Sequence, residues 1–303
     1  MEIKKVSIVG CGALGIMYGS HIQKSFPEAS LQFIVGNDRM ERYRNTKFYA
    51  NGEEQAFDFA GPDGSGGCSD LVIFTVKYND LDAAVSEAKN HIGKNTLILS
   101  FLNGISSEEI IGRTYDTSKI IHSMVAGMDA TKTGYSVRFS GLGYVAFGSM
   151  TNNLEAEKSL AEFLDKAKIR YEIHKDIMKT IWWKYILNIG INQTSAILRS
   201  TYELFQTSAY AEKLMRMAMA EAYEVARKVG INLNEDDIED CVKIMKTLSP
   251  EGKTSMCQDI EAGRTTEVDM FAGTLIELGK KYGVHVPINT FLYNAFKALE
   301  SRG

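Results

Sequence analysis

Lys184, Asn188 and Asn192 lie four residues apart within an otherwise apolar run, Ile181-Trp-Trp-Lys-Tyr-Ile-Leu-Asn-Ile-Gly-Ile-Asn192. A helix advances about 100° per residue, so positions i, i+4 and i+8 fall within roughly 80° of one another and line one stripe. An unpartnered buried ammonium is expensive and buried amides need hydrogen bonds, so such a row must face a polar network or a ligand cavity. A snorkelling lysine packed among Trp182, Trp183 and Tyr185 would account for one polar residue of the stripe, not three. A cavity-facing lysine is a candidate general acid, and the two amides are candidate substrate-holding groups.

A second set opens the chain. VSIVG-CGALG puts Gly10, Gly12 and Gly15 in G-x-G-x-x-G register after an apolar run and before a helical one. The first glycine permits a tight turn, the second lets backbone approach a pyrophosphate, and the third lets the helix pack closely, with its N-terminus facing the anion. The turn Gly10-Cys11-Gly12-Ala13-Leu14-Gly15 is therefore read as a dinucleotide site, and a lysine beside a bound nicotinamide could protonate a ketone oxygen as hydride reaches the carbon. After the next strand the chain runs Gly36-Asn37-Asp38-Arg39, followed by Arg42 and Arg44. An acidic residue there would bind the ribose hydroxyls of NAD, whereas an arginine such as Arg39 would accept the 2′-phosphate of NADP. Both types are present, so both cofactors stay open. Lys77 in FTVKYND and Asn103-Gly104 in LSFLNGIS end later strands, where ligands of open α/β sheets bind.

A third set is TSMCQDIEAGRTTEVDMFAG. Gly263 ends one helix, Thr265 or Thr266 is placed to cap the next, and Glu267 falls in its first turn. Glu267 is a dipole-complementing acid, a carboxylate that keeps Lys184 charged and oriented, or an acceptor for a cofactor ribose; Ser255 is either a helix-start residue or a donor to a substrate carboxylate.

These residues need two kinds of scaffold. VSIVG, LQFIV, LVIFTV and TLILSF read as buried parallel strands alternating with helical stretches such as LDAAVSEAKNHIG, a doubly wound α/β pattern. GYSVRFSGLGYVAFGS is expected to add strands at the edge of that sheet and to end the strand content of the first domain, and GPDGSGGCSD is a loop. From about Asp176 the periodicity is helical, as in AYAEKLMRMAMAEAYEVARKVGI and EVDMFAGTLIELGKKYGV. The fold class is thus α/β: an N-terminal Rossmann-type doubly wound sheet over residues 1–174, then an all-helical domain over residues 175–303. The Met-rich helix can serve a core or a homodimer interface, core being the commoner use.

Composition narrows the partners. The chain has 303 residues, 45% of them hydrophobic, and a net charge of −4 with scattered basic residues, so nucleic acid is not expected. Cys11, Cys68, Cys241 and Cys257 lack metal-ligand or disulfide-framework spacing, so free thiols in the cytoplasm and no metal site are expected. No apolar stretch is long enough for a membrane span, and the glycines in the first one argue against a signal peptide.

In this order, GCGALG, LNG, IWWKYILNIGIN and SMCQDIEAGRTTEVD closely resemble the ketopantoate reductase (2-dehydropantoate 2-reductase) family, over nearly the whole chain. The resemblance implies NADPH-dependent reduction of a 2-keto acid to a 2-hydroxy acid, with 2-dehydropantoate the leading substrate and pantothenate biosynthesis the setting. It implies Lys184 as general acid, Asn188, Asn192 and Ser255 as substrate contacts, Glu267 near cofactor ribose and catalytic centre, and Lys77 and Asn103 as cofactor contacts. Three places depart from the family pattern: Gly36 stands where an arginine often holds the 2′-phosphate, Tyr202 replaces a substrate-contacting asparagine, and Gly252, Lys253 and Thr254 precede Ser255 in place of the usual polar set. A paralogous reductase of another branched or aromatic 2-keto acid is the nearest alternative, and a dinucleotide sensor without chemistry is the non-enzymatic one.

Overall fold

In the computed structural model, which describes residues 1–301, the continuous apolar runs become inner strands because helices cover both of their faces. The strands are β1 (Lys5–Val9), β2 (Ser30–Ile34), β3 (Phe48–Ala50), β4 (Glu53–Gln55), β5 (Asp58–Ala60), β6 (Ser69–Phe74), β7 (Ile92–Ser100), β8 (His122–Met128), β9 (Thr131–Thr133), β10 (Ser136–Arg138), β11 (Leu142–Gly148) and β12 (Tyr171–Ile173). The main sheet has the order β5-β2-β1-β6-β7 and is parallel throughout. Alternation divides each inner strand between two cores: Val6, Ile8, Leu71 and Ile73 pack with Ile16, Tyr18, Leu160 and Phe163, while Val9, Val72 and Phe74 pack with Leu81, Val85 and Ile111. The strand order reverses direction at β1, so the turn after β1 lies at the topological switch point where α/β sheets bind ligands.

The segment GYSVRFSGLGYVAFGS departs from expectation. It does not extend the main sheet: β10 joins a four-stranded sheet β4-β3-β10-β9, and β11 joins a three-stranded sheet β12-β11-β8. Glycine separates the two halves. Gly143 has φ +66 and lies so close to the Ala126 carbonyl that a Cβ there would sit 1.9 Å from its oxygen, so the backbone is turned away from β10 and seated on β8. Among the described residues a single bridge, Ile98 to Ile120, is formed at the outer side of β7. The strand content also continues past this segment, since β12 pairs parallel with β11.

The chain forms two compact units, one of Met1–Leu102 with Ser107–Ile177, the other of Asn103–Ser106 with Met178 onward. The second is helical. Its long helix Ile177–Leu198 packs at Gly190 against Met215 and Met219 of the helix Ala209–Val229, where a Cβ on Gly190 would meet Met219 Cε at 2.3 Å. Met215 and Met219 are fully buried, so the Met-rich helix gives this face to the core. Glycines in the left-handed region, Gly230 and Gly283, end Ala209–Val229 and Thr274–Tyr282. Among the described residues no helix is long and apolar enough to cross a membrane, and the four cysteines are free thiols.

Candidate active site

Lys184, Asn188 and Asn192 share one face of Ile177–Leu198. Their neighbour Gln193 is fully buried and its Nε2 is spent within the protein, donating to the Ile189 carbonyl and to Asn289 Oδ1, both at 3.0 Å, while its Oε1 has no partner among the described residues. Asn188 and Asn192 are different. Asn188 is half-buried and Asn192 buried, yet neither side chain hydrogen-bonds within the described residues. Amides withdrawn from bulk water without protein partners are suited to a ligand's polar groups.

Lys184 has partners. Its Nζ donates to Asn103 Oδ1 at 3.0 Å, and Asn103 Nδ2 donates to Glu267 Oε2 at 3.3 Å, so one amide bridges the lysine and the carboxylate. Burial lowers the Lys184 pKa to about 8, against the opposing pull of Glu267. The ammonium is therefore a readily released proton near neutral pH, which is the tuning a general acid requires.

Asn103 reaches this position through a backbone that only glycine accepts comfortably. Gly104 has φ +87, and a Cβ there would meet Met270 Cγ at 2.7 Å. The Asn-Gly pair is thus both a turn and a site element, and the short segment Asn103–Ser106 belongs to the helical unit.

Glu267 is held from both sides. Thr266 donates from N and Oγ1 to Glu300 Oε1 at 2.8 and 2.7 Å, so it does not cap the following helix as the sequence led us to expect, and Thr265 is an exposed loop residue. That helix instead opens with a π turn, Asp269–Gly273, just after Glu267 and before Thr274–Tyr282; the carboxylate precedes the helix rather than sitting in its first turn. The turn is pinned by Asp269, which accepts from Tyr293 Oη at 3.0 Å and Lys297 Nζ at 2.8 Å. It is also tied to the lysine's own helix, because Tyr185 Oη donates to the Phe271 carbonyl at 2.7 Å in a buried setting. A wide turn frees backbone geometry at a functional residue, and here its anchors fix Glu267 relative to Lys184.

Ser255 is exposed at the first position of Ser255–Glu261, and the cap is its neighbour Thr254, whose Oγ1 accepts from Cys257 N at 3.2 Å. Thr254 Oγ1 also lies 2.8 Å from Ser195 Oγ, which joins this helix start to the helix of the polar stripe, three residues beyond Asn192. Tyr202 lies over the loop before Ser255: its N donates to the Gly252 carbonyl at 3.0 Å, and a Cβ on Gly252 would meet its ring at 2.8 Å.

In the sheet-bearing unit the turn after β1 has the expected build. Gly10 has φ +113, and the helix Ala13–Ser25 starts directly after Gly12. A Cβ on Gly15 would lie 2.0 Å from the Gly10 carbonyl, so helix and turn approach as closely as backbone allows. Thr75 Oγ1 braces the turn by donating to the Gly10 carbonyl at 2.9 Å. These features fit a dinucleotide pyrophosphate over Cys11, Gly12, Ala13 and Leu14. Lys77 is exposed just after β6. Arg39 is engaged, donating from Nη2 to Glu87 Oε1 at 2.6 Å with Asp38 3.6 Å away. Sequence reasoning missed Glu87, Lys132, Tyr185 and Asp269. Each looks like an ordinary surface charge or packing residue in its own segment, and only the tertiary contact gives it a role.

Comparison with known proteins agrees with this architecture. Residues 6–152 match the model of the ketopantoate reductase PanE/ApbA family and residues 176–300 its C-terminal model. The chain belongs to the ketopantoate reductase family. The 2-dehydropantoate 2-reductase of Aquifex aeolicus is 27% identical over 98% of this chain and 97% of its own, and that of Archaeoglobus fulgidus 26% over 99% of each. The structure of D-mandelate dehydrogenase with NADH is 26% identical, with a TM-score of 0.88 over 98% of this chain and 99% of that one. Its ternary form holds NADH and anilino(oxo)acetate, at a TM-score of 0.87. This family is one of oxidoreductases with a Rossmann-like N-terminal fold and a helical C-terminal region.

Proposed function

We propose that this protein reduces a 2-keto acid to a 2-hydroxy acid with NAD(P)H, and that 2-dehydropantoate, giving pantoate for pantothenate synthesis, is its leading substrate. The observation that carries the proposal is the chain Lys184–Asn103–Glu267 beside two amides that lack protein partners. Residues 1–174 serve as the nucleotide-binding part and residues 175–303 as the catalytic part. Gly10 to Gly15 and Lys77 would hold the cofactor, whose nicotinamide supplies the hydride.

Lys184 gives its Nζ proton to the carbonyl oxygen as that oxygen gains charge, leaving a neutral amine that solvent reprotonates. Asn103 aims the lysine through its Oδ1, and Glu267 stabilises the ammonium before transfer. Asn188 and Asn192 orient the substrate's carboxylate and hydroxyl groups, with Ser255 a further donor, and this fixed geometry lowers the entropic part of the barrier. The protein acts in the cytoplasm, as a monomer or homodimer.

A second substrate class, aromatic 2-keto acids, is favoured by the similarity to D-mandelate dehydrogenase and by Tyr202 above Gly252. NADPH and NADH oxidation with 2-dehydropantoate and with an aryl 2-keto acid tests both readings. The highest kcat/KM is expected with 2-dehydropantoate. Faster reduction of the aryl acid would shift the assignment to the second class, and no oxidation with any 2-keto acid would leave only a nucleotide-binding protein.

A further inference from the structure

Lys132 in β9 reaches the glycine-rich turn of its own unit, where its Nζ donates to the Cys11 carbonyl at 2.5 Å. The side chain is half-buried, its ammonium 5.9 Å from the centre of the Tyr135 ring. Among the described residues it has no carboxylate within ion-pairing distance. The other cations on this face are placed differently. Arg39 is already engaged by Glu87 and Asp38, and Arg42 is exposed over the Tyr43 ring. Both Lys132 and Arg39 stand close enough to Cys11 to act on its thiol, which burial pushes up to about 12 against their pull.

An ammonium withdrawn from water and satisfied by one carbonyl is a costly arrangement, and burial lowers its pKa accordingly. An anion arriving beside it would relieve that cost. The Cys11 carbonyl belongs to the turn that cradles dinucleotide phosphates, and Arg39 follows the end of β2, where the adenosine ribose is read. A 2′-phosphate between them would meet an arginine largely neutralised by carboxylates and a lysine that is not.

We propose that Lys132 is the ligand for the 2′-phosphate of NADPH and gives this chain a preference for NADPH over NADH, a role the Gly36 and Arg39 positions do not fill. The assignment rests on reading the turn as a dinucleotide site, and it concerns residues of one unit only. Lys132 would donate from Nζ to a phosphate oxygen while Glu87 keeps Arg39 at the side of the pocket.

Equilibrium titration of the full chain with NADPH and with NADH, followed by calorimetry without keto acid, tests it. Wild-type protein should bind NADPH more tightly. Lys132→Gln should weaken NADPH by about ten- to a hundredfold, the range for one charge-assisted hydrogen bond, and leave NADH binding nearly unchanged. Retained NADH affinity also reports an intact fold, and Lys132→Arg, which keeps the charge, should keep the NADPH preference. Equal weakening of both nucleotides, or no change in either, overturns the proposal, as does a wild-type preference for NADH. Those three results leave the reductase reading standing, whereas failure of the wild type to bind either nucleotide removes the dinucleotide reading itself.

Discussion

The pH dependence of keto acid reduction is where the chemistry assigned to Lys184 becomes quantitative. Burial holds its pKa near 8 rather than at the 10.5 of a free lysine, with Glu267 limiting the fall. A general acid must carry its proton, so rate follows the ammonium fraction: about nine-tenths at pH 7 and about one-tenth at pH 9 for a group titrating near 8. Reduction measured as kcat/KM should therefore be flat below neutrality and fall with rising pH, by about tenfold between pH 7 and 9. The sign follows from the role, since the protonated form is active in this direction and the deprotonated form would serve the reverse oxidation. Glu267→Gln removes the charge that favours the ammonium while nearly preserving shape, so the descending limb should move to lower pH. The assay is nucleotide oxidation at saturating cofactor across the pH range, with nucleotide affinity checked at each pH. A profile flat to pH 10, or a limb that moves upward in Glu267→Gln, would refute the assignment.

Three further outcomes follow from the same geometry. Asn103→Ala removes both the acceptor for Lys184 and the donor to Glu267; a charge-assisted hydrogen bond is worth ~1.5–3 kcal/mol, so kcat should fall by about ten- to a hundredfold, and unchanged kcat would show that the bridge is not used. Gly15→Ala places a Cβ against the Gly10 carbonyl, which should destabilise the fold by about 1–3 kcal/mol in thermal unfolding and abolish nucleotide binding in titration. Tyr185→Phe removes the side-chain donor to the Phe271 carbonyl, which keeps the Thr274 N–H, so the stability cost should be only about 0.5–1.5 kcal/mol, and kcat should fall more than KM rises because the π turn that holds Glu267 loosens.

Much of the scaffold was legible because burial on two faces leaves a plain trace. VSIVG, LVIFTV and TLILSF are apolar at nearly every position, and they became β1, β6 and β7 of a parallel sheet. The spacing of Lys184, Asn188 and Asn192 was equally readable, since helical period is a local property. What failed was long-range. The partition of GYSVRFSGLGYVAFGS between two small sheets depends on the close approach of Gly143 to Ala126, a contact with no marker in the segment's composition. The π turn after Glu267 is set by anchors at Tyr185, Tyr293 and Lys297, so capping rules applied to RTTEVD placed the helix start wrongly. Lys132 is hidden in the sequence for the same reason: in ATKTG it is one charged residue of a short strand, and only the tertiary fold carries it to Cys11.

In the proposed reaction Lys184 supplies the proton to the keto oxygen. The decisive experiment is steady-state turnover of Lys184→Ala with 2-dehydropantoate, beside nucleotide affinity by titration. Turnover should fall by about 10²- to 10⁴-fold, the range for loss of a general acid, with nucleotide affinity preserved. Near-normal turnover in that variant would rule out Lys184 as the acid.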